Sequence, residues 1–293
     1  MMQGMNRRQF LQSALAATAF SGCARPGSKP NIVFVMLDDL GYADFGAYGQ
    51  KLIRTPRADA FAQQGVRFTH AYAGSTVCAP SRCVLMTGKH TGHSSVRTNA
   101  GTMPLTPEDL TVASALREAG YATGAFGKWG LGDIRTTGVP WKHGFDEFYG
   151  YLHQVHAHSY YPDFLWDNDV QARLTENAEG NGTQHTADLI ASRTLDFIRR
   201  HKDQPFFCYA CWTLPHGRYE MPSTAPYQDE PWTDVEKTYA AMVTQADAHF
   251  GQLLDLLEEL ALTSNTVVFL TSDNGGVNPD LTQLQRFASN GPL

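Results

Sequence analysis

Ile32-Val33-Phe34-Val35-Met36-Leu37 is an unbroken apolar run, and it stops at Asp38-Asp39. A strand with one wet face alternates polar and apolar residues. A run without alternation belongs to a strand covered on both faces, as in the central sheet of an α/β domain. Ligands of such sheets sit outside the carboxyl ends of the strands. The two adjacent carboxylates therefore fall where a binding site is expected; a solvated or helix-capping acidic turn is the plainer reading of the same pair.

Three further runs repeat the pattern. Residues 121–126 read as a strand that delivers Gly127-Lys128-Trp129-Gly130. Residues 206–212 lead to Leu214-Pro215-His216, and residues 266–270 to Ser272-Asp273-Asn274-Gly275. Helical stretches alternate with these strands. Thr55-Pro56 is a capped start with Ala58, Phe61 and Ala62 on one face and a stop at Gly65. Val66-Arg67-Phe68 then reads as a short strand. Thr106-Pro107-Glu108-Asp109 is a second capped start, followed by Leu110, Ala113 and Leu116. Residues 186–200 place Ile190, Thr194, Phe197 and Ile198 inward. Residues 234–260 do the same with Met242, Val243, Ala246, Phe250, Leu253, Leu254 and Leu257. Residues 130–182 read as irregular and loop-rich, and long loops in a compact domain are usually functional. The expected fold class is α/β, a mostly parallel central sheet flanked by helices.

The composition agrees. The chain has 293 residues, a formal charge of −6 and 42% hydrophobic residues, enough for one large core and too balanced for disorder. The mild acidity argues against a nucleic-acid partner, for which a basic face is expected. No internal apolar run is long enough for a membrane span.

The first residues read as a bacterial export signal. Asn6-Arg7-Arg8-Gln9-Phe10-Leu11 is a twin-arginine pattern ahead of an Ala-rich apolar stretch. Ser21-Gly22-Cys23 resembles a lipoprotein processing box, which would make Cys23 a lipid anchor; simple cleavage after a small residue is the other reading. Residues 1–30 are thus set apart from the fold, residues 31–293 form the domain, and the expected location is the periplasm or a membrane surface. Cys208 and Cys211 are three apart on an expected strand and so point to opposite faces, which suits core packing and not a disulfide or a shared metal.

If the strands run parallel, Asp38, Asp39, Lys128, His216, Asp273 and Asn274 meet at one edge. Three carboxylates and an amide oxygen are hard ligands, suited to Ca²⁺ or Mg²⁺ and not to zinc. Lys128, Arg82 and His216 would set positive charge and donors around the oxygens of an anion. A plain surface lysine and a loop histidine are the bland readings of Lys128 and His216.

Cys78-Ala79-Pro80-Ser81-Arg82, read with Asp38-Asp39, Gly127-Lys128-Trp129, Pro215-His216 and Asp273-Asn274-Gly275, resembles a type I sulfatase of the alkaline-phosphatase superfamily. The resemblance runs from about residue 31 to the last residue. It implies that a formylglycine-generating enzyme oxidises Cys78 to an aldehyde whose hydrate attacks sulfur. It implies Asp38, Asp39, Asp273, Asn274 and the modified Cys78 as ligands of Ca²⁺, or of Mg²⁺. Arg82 and Lys128 would hold the hydrate, and Lys128 and His216 the sulfate. The activity implied is hydrolysis of a sulfate ester, carried by an aryl compound or a glycan. A phosphoesterase of the same superfamily, or an inactive sulfatase-like protein, are the alternatives. Two departures stand out. Most of the family has His two residues after the motif lysine, where this chain has Gly130; His153, His156 and His158 are candidates for its work. The chain also stops at Ser289-Asn290-Gly291-Pro292-Leu293, before the family's further lysine and smaller carboxyl-terminal subdomain, so those parts are expected to be missing. Tyr149, Tyr151, Tyr160, Tyr161, Phe164 and Trp166 could stack on sugar rings or form a core of their own.

Overall fold

The computed structural model describes residues 29–101, 103–180, 182–277 and 283–292. The expected export signal and Cys23 lie outside the described residues. Strands β1 (Asn31–Leu37), β2 (Ala122–Lys128), β3 (Glu147–Tyr151), β4 (Phe164–Asp167), β5 (Val170–Arg173), β6 (Phe206–Cys211) and β7 (Thr266–Ser272) form one sheet in the order β5-β4-β3-β2-β6-β1-β7. The pairings from β3 across to β7 are parallel, and those of β3 with β4 and β4 with β5 are antiparallel. The four strands read from apolar runs are the contiguous block β2-β6-β1-β7. This is the α/β architecture with a mostly parallel sheet that the alternation of runs required.

Helices α1 (Pro56–Gln64), α2 (Cys78–Thr87), α3 (Val112–Glu118), α4 (Thr186–Arg200) and α5 (Asp234–Glu259) cover the sheet. One core joins Ala58 of α1, Ile190 and Phe197 of α4, and Met242, Phe250 and Leu253 of α5 to one face of the strands. A second core joins Ala79 and Cys83 of α2 and Ala113 of α3 to the other. β6 is buried along its whole length. Its Cys208 belongs to the first core and its Cys211 to the second, and both are free thiols. The period of two along a strand separated them as expected.

Several local readings are corrected. Residues 130–182 carry β3, β4 and β5 and are not simply loop. Tyr149, Tyr151 and Tyr160 are buried there, so these rings are core and not a sugar platform. These strands are only four or five residues long, and Gly150 interrupts the apolar pattern of β3. Val66-Arg67-Phe68 has no strand partner among the described residues, and Val66 and Phe68 are exposed. α3 starts at Val112, with the Thr111 hydroxyl accepting from Ser114 N–H at 3.0 Å. Leu110 lies outside it, exposed. Asp109 is drawn instead into bonds with Thr106 N–H and Lys89. Thr55 precedes α1 without a side-chain capping bond. That capping role falls to Asp247 of α5, which accepts from Arg57 N–H at 3.1 Å and Ala58 N–H at 2.7 Å. Among the described residues β7 is the last strand of the sheet, and its Val267 and Phe269 are exposed, so here the apolar run does not mark a strand covered on both faces.

Candidate active site

Parallel pairing puts the carboxyl ends of β1, β2, β6 and β7 on one edge, and the polar signatures gather there. The chain leaves β1 through Asp38, whose N–H bonds to Leu214 O at 3.1 Å, and Asp273 N–H bonds to Leu37 O at 3.0 Å. These backbone bonds stitch the three strand exits together. Asp39 has φ of 59°, a left-handed conformation that short polar side chains such as Asp tolerate better than most. The turn swings its carboxylate toward Asn274 Nδ2, which donates to it at 2.7 Å.

α2 supplies the rest. Cys78 is the first residue of the helix. Its Sγ lies 3.4 Å from Asp38 and 3.9 Å from Asp39. Ala79 N–H is held by Asn99 Oδ1 at 2.9 Å, and the Ser81 hydroxyl donates to Asp273 O. Arg82, one turn on, is fully buried. Its Nε and Nη2 donate to Asp273 Oδ2 at 3.1 and 2.9 Å, its Nη1 to Lys128 O at 2.6 Å, and its Nη2 lies 3.3 Å from Asp38. Lys128 Nζ sits 2.7 Å from Asp38 Oδ2, with neither side chain exposed. His216 Nε2 lies 3.4 Å from Asp39 Oδ2. All eight residues singled out from sequence thus share one buried cluster.

The electrostatics are those of a crowded acidic centre. Burial alone would push the Asp38 carboxyl up; Lys128, then Arg82 and His216, outweigh it and hold it far below the usual range. Burial, then the charge on Asp38, pushes both Asp39 and Asp273 up. Burial, then Asp38, also pushes the Cys78 thiol well up, so as a plain cysteine it stays protonated and makes a poor nucleophile.

The cluster brings together groups that could hold a metal ion, and its carboxylate oxygens are hard donors. Oxygens of Asp38 and Asp39, Cys78 Sγ and a His216 ring nitrogen all lie within 4.8 Å of one another. Asn274 Oδ1 is buried and has no hydrogen-bond partner among the described residues. An orphaned acceptor of that kind is costly unless a donor or a cation meets it. Asp273 turns one oxygen to Arg82 and the other to Asp39 N–H at 3.1 Å.

Of the three candidate histidines, His158 alone stacks on a site residue, its ring 4.7 Å from that of His216. His156 packs against Tyr151 and Phe164, and His153 Nδ1 accepts from Val155 N–H. Gly130 explains its own identity: φ is +77°, and a Cβ there would meet Gln154 Nε2 at 2.1 Å. Gln154 fills the space a larger side chain would need. Tyr160, in sequence only one of the loop aromatics, supports the site. Its hydroxyl lies 2.8 Å from Thr213 O and 3.0 Å from His216 O, pinning the turn that presents His216. No sequence spacing marks that contact. Beside Asp39 and His216 opens a cavity of about 400 Å³ that Arg218, Tyr219, Val235 and Val277 also line.

Comparison with known proteins agrees with this geometry. A family profile described as Sulfatase matches residues 30–288. The chain is 30% identical to the N-acetylgalactosamine-6-sulfatase of Canis lupus familiaris, over 98% of this chain and 57% of that protein. It is 27% identical to the steryl-sulfatase of Rattus norvegicus, over 91% of this chain and 59% of that one. The crystal structure of Ps i-CgsB matches with a TM-score of 0.79 at 31% identity, covering 91% of this chain and 62% of that one. A structure of Ps i-CgsB in complex with k-i-k-neocarrahexaose matches with the same TM-score at 30% identity. The chain spans little more than half the length of the two enzymes named first. A profile that runs from the start of β1 almost to the last residue, over a sheet edge carrying every residue of the motif set, shows that the chain belongs to the sulfatase family.

Proposed function

We propose that this chain hydrolyses sulfate esters of carbohydrates, with Cys78 in its oxidised, formylglycine form and with Ca²⁺ or Mg²⁺ bound. The observation that carries the proposal is the buried contact of Cys78 with Asp38 and Asp39 beside Arg82, Lys128 and His216. The carbohydrate assignment rests on likeness to the N-acetylgalactosamine-6-sulfatase and to the complex of Ps i-CgsB with k-i-k-neocarrahexaose. Asp38, Asp39, Asp273 and Asn274 would hold the cation with residue 78; the cation supplies positive charge to offset that of sulfate and to polarise its oxygens. The hydrated aldehyde would supply a hydroxyl nucleophile toward sulfur, with the S–O bond to the sugar broken and the sugar alcohol leaving, a role a buried thiol of raised pKa would not fill.

The remaining work belongs to the chain. Arg82 is locked by four short contacts and fixes the first turn of α2, so residue 78 cannot drift from the carboxylates. Lys128 and His216 donate to sulfate oxygens and lower the cost of the charge that builds there. His158, stacked on His216, keeps that ring oriented. Export through the twin-arginine pattern, with lipid attachment at Cys23, would place the enzyme in the periplasm or on a membrane surface.

The test is peptide mass spectrometry on protein made together with a formylglycine-generating enzyme. The expected result is an aldehyde at residue 78 and sulfate release from a sulfated N-acetylgalactosamine. A cysteine left unmodified under those conditions contradicts the proposal.

A further inference from the structure

We infer that Arg218 is a specificity residue: it recognises a second anionic group, a sulfate or a carboxylate, on the sugar that carries the scissile ester. The inference rests on the sulfate-ester reading and adds a substrate class to it.

Three observations converge. The cavity beside Asp39 and His216, at about 400 Å³, is within the roughly 300–1,000 Å³ of small-molecule sites. That is room for a sugar ring beyond the ester itself. The cationic groups of the cluster already face its carboxylates. Arg82 is bound to Asp273 and Asp38, and Lys128 to Asp38. Arg218 is not: it lines the same cavity, is exposed, and its side chain has no ion pair or hydrogen bond among the described residues. Arg57, Arg193, Arg200 and Arg286, by contrast, each meet a carboxylate.

The acidic neighbours do not claim it. Asp39 is engaged by Asn274 and His216, and Glu220 accepts from Tyr160 N–H at 3.0 Å. A guanidinium presents paired N–H donors in a plane, a geometry that matches sulfate or carboxylate oxygens and is poorly used on a lone sugar hydroxyl. Val235 and Val277 give the cavity apolar wall for a ring face. The arrangement selects a doubly anionic sugar over a singly sulfated one.

The test is calorimetric binding of three probes: galactose 6-sulfate, galactose 2,6-disulfate, and an unsaturated uronic acid–N-acetylgalactosamine 6-sulfate disaccharide. The unsubstituted protein is expected to prefer at least one doubly anionic probe by about tenfold or more, the size of a charge-assisted hydrogen bond. The arm that shows the preference tells sulfate from carboxylate. Arg218→Ala should erase it and Arg218→Lys should keep part, with thermal unfolding confirming that both variants fold. A preference that survives Arg218→Ala, or no preference in the unsubstituted protein, overturns the inference. Failure of hydrolysis is separate. Sulfate release without preference sinks the Arg218 role alone, and preference without sulfate release from aldehyde-bearing protein sinks hydrolysis alone.

Discussion

The interior of the sheet and its carboxyl edge handle buried polarity in opposite ways. Inside, β6 presents Cys208 and Cys211 to two apolar cores, and burial pushes both thiols up. At the edge, Asp38, Arg82 and Lys128 are just as deeply buried yet charged, each held by the others. The same strands run through both regions. Where the ladder continues, backbone groups satisfy one another and side chains need only fill space. Where it ends, side chains and turn backbone must do that work, and the ends become the place where charge can be concentrated. Such concentration costs stability, and a stable fold tolerates it only because the two cores stand behind it.

The sharpest way to break this contrast is Asp38→Ala. It leaves Lys128 and Arg82 buried with one counter-charge fewer, and should cost about 3–5 kcal/mol by denaturant unfolding. Loss below 1 kcal/mol would mean that water reaches the cluster. Next is Lys128→Ala, for which the fold should survive because Arg82 still faces Asp38. Sulfate release should fall roughly 100-fold or more, as when one oxyanion donor is removed, mainly in kcat. Gly130→His should destabilise by about 1–3 kcal/mol through overpacking on Gln154. The double variant Gly130→His/Gln154→Ala should recover part of that loss in thermal unfolding.

Asp109 is a carboxylate of the ordinary structural kind, well away from the edge cluster in sequence. Burial raises its pKa, but Lys89, Ser95 and Thr106 outweigh that and bring it to about 2. A depressed folded pKa gives stability that is complete above the unfolded value of about 3.9 and is lost as pH falls toward about 2. Asp109→Asn should therefore lower the melting temperature at neutral pH, and the gap from the unsubstituted protein should close in acid. The smallest effect belongs to Cys208→Ala, which removes one sulfur from a packed core. It should cost about 1 kcal/mol and leave kcat unchanged, whereas Cys78→Ala should abolish sulfate release at little cost in stability.

Much of this was legible in the residues themselves. Apolar runs marked β1, β2, β6 and β7 as strands, though for β7 the run hid a half-exposed face, and their abrupt polar ends pointed to Asp38, Lys128, His216 and Asp273. Cys208 and Cys211 could be assigned to opposite faces from spacing alone. The segment from 130 to 182 could not be read in that way. β4 and β5 are four residues each, too short for a period to declare itself, and they form by pairing with β3 and not by local preference. The same holds for Tyr160 and Gln154. Their roles are contacts across 56 and 24 positions of chain, with His216 and Gly130 respectively. Asp247 makes the same point: a carboxylate some 190 positions away caps α1, which Thr55 was expected to do.

The central claim is that residue 78, as an aldehyde hydrate beside a cation-holding set of carboxylates, cleaves a sulfate ester. The most direct measurement is release of inorganic sulfate from N-acetylgalactosamine 6-sulfate by aldehyde-bearing protein, before and after chelation and on return of Ca²⁺. The account predicts release that is lost on chelation, regained with Ca²⁺, and absent in Cys78→Ala. Release at the same rate from chelated protein or from Cys78→Ala, or none from folded, aldehyde-bearing, Ca²⁺-loaded protein, would contradict it.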